Sequence, residues 1–138
     1  MNTILVAVDG SEACLHGVRK AAELARSIGG KLELVYVSPP ILLPPSVYTE
    51  TIRKIEEAED THAKDVMDHA ASAAGMDAVR VHLRGGAAEA IADYVRNQDR
   101  FWAVVVSAKG HNALSRVMLG SVTDRLVHIC PIPVLVVR

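Results

Sequence analysis

The chain has 138 residues, half of them hydrophobic, with 15 basic against 16 acidic residues and a formal charge of −1. That length suits one domain, residues 1–138, and a near-neutral balance without a run of like charge argues against a general nucleic-acid-binding surface. Aromatics at 4% are too sparse for platforms that stack single strands, and no apolar run approaches the roughly 20 residues needed to cross a bilayer, so no nucleic-acid partner and no membrane insertion are expected.

Residues 3–8 (TILVAV) form a nearly continuous apolar run that ends at Asp9-Gly10-Ser11, the pattern of a buried parallel strand followed by a turn and a helix N-cap. Leu15, Val18, Ala22, Leu24 and Ala25 then recur at helical spacing until Gly29-Gly30 stops the helix. KLELVYV (31–37) is the second strand, ended by Ser38-Pro39-Pro40. An extended proline-rich loop carries Ile41, Leu42 and Leu43. A long amphipathic helix follows from about Val47 to Ala74, with Ile52, Ile55, Ala58, Val66, Ala70 and Ala74 on its inner side.

AVRVHL (78–83) alternates, with Val79, Val81 and Leu83 expected inward and Arg80, His82 and Arg84 outward, which marks an edge strand. Gly85-Gly86 leads into a short helix with Ala90, Ile91, Tyr94 and Val95 on its inner face. Phe101 to Val106 is an apolar, β-branched run too short for a helix, hence a strand buried on both faces. It breaks at Ser107 into a loop, and Gly120-Ser121-Val122-Thr123-Asp124 opens the last helix, with Ser121 expected as its N-cap. After Pro131-Ile132-Pro133 comes a final strand, Val134 to Val137.

Five strands alternating with four helices predict an α/β fold: one doubly wound parallel sheet of order 3-2-1-4-5 with helices on both faces. The first and fourth strands then lie side by side where the winding reverses, and ligands of open α/β sheets bind outside the carboxyl ends at that point. Asp9 and Ser107 close those two strands. A strand, a glycine-bearing loop and a helix start together make a phosphate site from backbone N–H groups and the positive end of the helix dipole. Lys109 and His111 can neutralise phosphate charge. The apolar last strand, at the far edge, is expected to pair with a second copy and form a homodimer through Val134 to Val137.

The segments ILVAVDGSE, LELVYV, GHNALSRVMLGSVTDRLV and CPIPVLVV together resemble the universal stress protein family over the whole chain. The nucleotide-binding branch of that family carries G-x2-G-x9-G-[ST] before its last helix. Gly110, nine residues and Gly120-Ser121 fit the second half of the pattern, while Ser107 stands at the first glycine. The resemblance implies an ATP-binding protein, or one that binds AMP or ADP, with Mg²⁺ accompanying the phosphates. Asp9 would contact the adenosine part, Val37 would meet adenine through its backbone, and Val106 would line the pocket. Gly110, Gly120, Ser121 and Val122 would hold ribose and phosphates, and Ser107 can donate a hydrogen bond there.

The protein is therefore expected to be a nucleotide-responsive regulatory protein of the stress response. Cys14 and Cys130, with a sequence that starts directly in a strand pattern, favour a reducing, cytoplasmic setting. Two alternatives are a family member that acts by protein–protein contact without nucleotide, and a slow ATP hydrolase using Asp9 or His111 as base. No catalytic residue and no metal site are expected. His62, His69 and His82 lack metal-ligand spacing, neither cysteine has a histidine partner, and the Walker A, G-x-G-x-x-G and G-x-S-x-G patterns are absent.

Overall fold

The apolar runs form strands with side chains packed on alternate faces, as the period of two requires. A computed structural model describes residues 2–44, 46–108 and 119–138. In chain order it contains β1 (Thr3–Ala7), α1 (Glu12–Ser27), β2 (Lys31–Ser38), α2 (Thr49–Ala74), β3 (Ala78–Arg84), α3 (Ala87–Val95), β4 (Phe101–Ser107), α4 (Ser121–Ile129) and β5 (Val134–Val137). The strands are parallel and lie in the order β3-β2-β1-β4-β5. This is the doubly wound sheet that the alternation of elements predicts.

One face of the sheet offers Ile4, Val6, Leu32, Leu34 and Val105 to α1 and α2, which answer with Leu15, Val18, Ala22, Met67 and Ala70. The other offers Leu5, Val35, Val104 and Val106 to Ile91, Ala92 and Val95 of α3 and Leu126 of α4. Ser11 caps α1, its side chain accepting from the Cys14 N–H at 3.2 Å, as the sequence predicts. The β1–β4 register slips by one residue, since Thr3 pairs with Phe101 and Ile4 with Ala103, and the skipped Trp102 is exposed.

In β3 and α2 the structure differs from the sequence expectation at three places. Val79 is 57% exposed, not inward. The nine-residue α3, about 13 Å long, packs on Val81 and Leu83 of the same strand face but does not extend to Val79. His82 is tucked beneath α2 rather than turned to solvent, because α2 covers the face on which Arg80 and His82 lie. The helix itself begins at Thr49 and leaves Ala58 exposed; its fully buried residues, Ala63, Met67, Ala70 and Ala74, all belong to its second half. The periodicity of α2 is continuous, but only that half packs apolar side chains into the core, while Glu59 and Asp60 of the first half meet Arg84 and His82 of β3.

Glu33, the third residue of β2, has 4% exposure. Its carboxylate accepts from the Tyr94 hydroxyl at 2.7 Å and from Arg100 Nη2 at 3.1 Å, and the guanidinium stacks 4.3 Å from the centre of the Phe101 ring. Burial and this carboxylate both push the Tyr94 hydroxyl above its ordinary pKa. A buried carboxylate deprived of its cation costs more than the pair is worth, although here the arginine is half-exposed and partly screened. Arg100→Ala is therefore expected to lower unfolding free energy by about 1–3 kcal/mol in urea titrations.

Candidate functional site

The turn after β1 is held by its own side chains. Asp9 Oδ1 accepts from the Ser11 N–H at 2.9 Å and from the Ser11 hydroxyl at 2.6 Å, while Gly10 adopts φ 85°, a conformation open to glycine. The carboxylate is thus fixed where β1 ends. Its charge is felt at Tyr36 on β2, whose hydroxyl is pushed above its ordinary pKa by burial first, then by Glu59 and Asp9.

The end of β4, beside β1, is fastened to two helices. Ser107 Oγ donates to the Ala13 carbonyl of α1 at 3.2 Å, and the Thr123 hydroxyl of α4 donates to the Ser107 carbonyl at 2.7 Å. The Ser107 side chain is therefore turned toward α1. It fits because α1 carries Gly17 at the contact: a β-carbon there would come within 2.9 Å of Ser107 Oγ. Val106 is buried with its side chain in the core under α3 and α4.

The N-cap of α4 is Gly120, and Ser121 is the first helical residue, which corrects the expected cap at Ser121. The Gly120 N–H is tied to the Ala108 carbonyl at 2.7 Å, which keeps Gly120 extended, and its own carbonyl accepts from the Asp124 N–H at 2.9 Å. Gly120 has no side chain with which to cap the first turn. Ser121 and Val122 are exposed there. Lys109 and Gly110 lie outside the described residues, as do His111, Asn112 and Ser115.

The end of β2 completes this edge of the sheet. Val35 O accepts from the Val8 N–H, and Ser38 O accepts from the Gly85 N–H at 2.9 Å. Backbone groups alternate along a strand, so those of Val37 point to the β1 side, where β1 has already ended at Ala7. The Val37 side chain packs on the α3 face.

A further cluster lies behind Val37 with no signal in the sequence. Ser38 Oγ is 2.7 Å from His82 Nε2, and His82 Nδ1 is 2.8 Å from Asp60 Oδ1 of α2. Tyr36 packs edge-on against His62 and lies beside His82, with ring centres 5.7 and 5.8 Å apart. Arg84 reaches both Glu59 of α2 and the Pro39 carbonyl.

A cavity of about 220 Å³ lies between the start of α1 and the middle of α2, lined in part by Ser11, Cys14, Leu15, His62 and His69. Burial pushes the Cys14 thiol above its ordinary pKa, and Cys130 likewise, which keeps both protonated and weakly nucleophilic. Cys14 is expected to react with a disulfide reagent only when the protein unfolds, a difference that thiol titration with and without urea will measure. Among the described residues no three His, Cys, Asp or Glu side chains converge as a metal site, and no helix is long and apolar enough to cross a membrane.

A model of the universal stress protein family matches residues 1–138. Universal stress protein MJ0531 of Methanocaldococcus jannaschii is 27% identical over 138 residues, which cover 98% of this chain and 81% of that protein. Among solved structures, universal stress protein UspA from Lactobacillus plantarum superimposes with a TM-score of 0.83 at 27% identity, covering 99% of this chain and 97% of that one. A universal stress protein in complex with cAMP shares the fold, with a TM-score of 0.65 at 23% identity, covering 99% of this chain and 96% of that one.

Proposed function

For a chain that belongs to the universal stress protein family, we propose binding of an adenine nucleotide, ATP with Mg²⁺ or its AMP and ADP relatives, at the carboxyl edge of β1, β2 and β4. Binding rather than turnover is the function: the nucleotide stabilises the folded state and changes the surface offered to partners in a cytoplasmic stress response. The observation that carries this reading is the start of α4. Gly120, bare of any side chain, puts no cap of its own on the positive end of α4, the helix that follows β4, and β4 lies beside β1, the strand that leads into Asp9.

In this reading Asp9 meets the ribose, the backbone of Val37 meets the base, and Gly120, Ser121 and Val122 cradle phosphate. Gly110 and Lys109 belong to the same loop, and Val106 and Ser107 support it from β4. Mg²⁺ fits such a donor set, because it keeps several waters and is held mainly by phosphate oxygens with one or two carboxylates. A fold relative solved with cAMP supports the adenine class.

The homodimer belongs to the same proposal. β5 is a sheet edge with Leu135 exposed, and a groove of about 600 Å³ runs between it and the outer face of α1, with Leu24, Leu135, Val136 and Val137 among its lining. An apolar parallel-sheet edge of this kind is closed by pairing with a twin strand. Thermal or urea unfolding with added ATP tests the nucleotide. At 100 times the dissociation constant the ligand is expected to add about 2.7 kcal/mol. An unchanged transition at millimolar ATP would favour action by protein contact alone.

A further inference from the structure

We propose that the Ser38–His82–Asp60 chain is a positioning device that sets the preference for adenine over guanine by fixing the backbone of Val37. This inference rests on the nucleotide-binding reading above. The three residues stand in the order of a hydrolytic triad, with Ser38 Oγ on His82 Nε2 and Asp60 on Nδ1. The surroundings argue against that chemistry. Ser38 is only 2% exposed, and the two residues after it are prolines, which have no N–H to offer an oxyanion.

A carboxylate only accepts, so His82 Nδ1 donates to Asp60, and Nε2 shares the remaining hydrogen bond with the Ser38 hydroxyl, which can serve as donor or acceptor. Ser38 is thus held at two points, its hydroxyl by His82 of β3 and its carbonyl by the N–H of Gly85, the residue that follows β3. Asp60, together with Glu59 and its contact to Arg84, links the same pair of strands to α2. Val37 immediately precedes this anchor, and its N–H and C=O face the β1 side.

An N–H and a C=O held in one plane match adenine, which presents an amino donor beside a ring acceptor. Guanine presents the reverse, an oxygen acceptor beside a ring N–H. A rotation of the Val37 peptide loses the distinction before it loses binding. Ser38, His82 and Asp60 touch no ligand in this account and act only through that peptide.

Calorimetric titration of wild type, Ser38→Ala, His82→Asn and His82→Gln with ATP and with GTP tests the proposal. Glutamine places its amide near the position of Nε2 and keeps a bond to Ser38, whereas asparagine reaches only the position of Nδ1. Ser38→Ala and His82→Asn are expected to reduce the ATP-over-GTP ratio about tenfold, the worth of one hydrogen bond, and His82→Gln to stay within about threefold of wild type. Urea unfolding of the same unliganded proteins separates selectivity from stability. Variants that lose stability yet keep the wild-type ratio would overturn the positioning role and leave the nucleotide reading standing. A wild-type protein that binds neither nucleotide would overturn both.

Discussion

Asp9→Ala is expected to weaken adenine-nucleotide affinity by about tenfold to a hundredfold, the worth of a hydrogen bond to a charged acceptor. Two effects contribute, and a second variant divides them. The carboxylate organises its own turn through the Ser11 N–H and hydroxyl, so alanine also loosens the entry to α1. Asp9→Asn keeps an acceptor for Ser11 while removing the charge and turning the second oxygen into an N–H donor. It is expected to retain most of the unliganded stability while losing most of the affinity. Titration calorimetry alongside urea unfolding reads the two quantities separately. Equal losses of stability and affinity in both variants would reduce Asp9 to a turn residue.

Gly30→Ala is expected to destabilise the protein by about 3 kcal/mol or more, or to prevent its accumulation as folded protein. A β-carbon at residue 30 would stand 2.0 Å from the carbonyl oxygen of Asn2, which is backbone and cannot swing away. That oxygen accepts from the Lys31 N–H at 2.9 Å, while Asn2 and Thr3 both donate to the Arg100 carbonyl. Relieving the clash therefore disturbs the first pairings of β1 with both β2 and β4, at the centre of the sheet. The neighbouring glycine is the control. Gly29 has φ 63°, and a β-carbon there would meet nothing within 4 Å, so Gly29→Ala incurs only left-handed strain, about 1 kcal/mol. Urea midpoints that rank the two substitutions in the opposite order would contradict this packing.

What was legible in the sequence follows from which forces act locally. TILVAV and FWAVVV read as strands because central parallel strands are apolar on both faces, and Ser11 reads as a cap because its bond reaches only three residues along the chain. The order 3-2-1-4-5 followed from alternation and one identified edge. Features set by distant contacts did not show. Ser38 and His82 are 44 residues apart and meet only because β2 and β3 pair Tyr36 with His82. Val79 obeys the alternation of its strand but has no helix over it. At the start of α4 the side-chain preference points to Ser121 as the cap, and the cap falls instead on Gly120, whose N–H is held by the Ala108 carbonyl. The candidate site was read in part: Asp9, Val37, Gly120, Ser121 and Val122 all lie at the carboxyl ends of the strands or the start of α4. The supporting residues, Gly17, Thr123 and the Ser38 cluster, were not.

The central claim is that this edge of the sheet holds an adenine nucleotide. Titration of the unliganded wild-type protein with Mg²⁺-ATP measures it most directly. The expected result is saturable binding of one nucleotide per chain, abolished or greatly weakened in Asp9→Ala. Absence of binding heat at millimolar nucleotide, or binding of equal strength in wild type and Asp9→Ala, would contradict it.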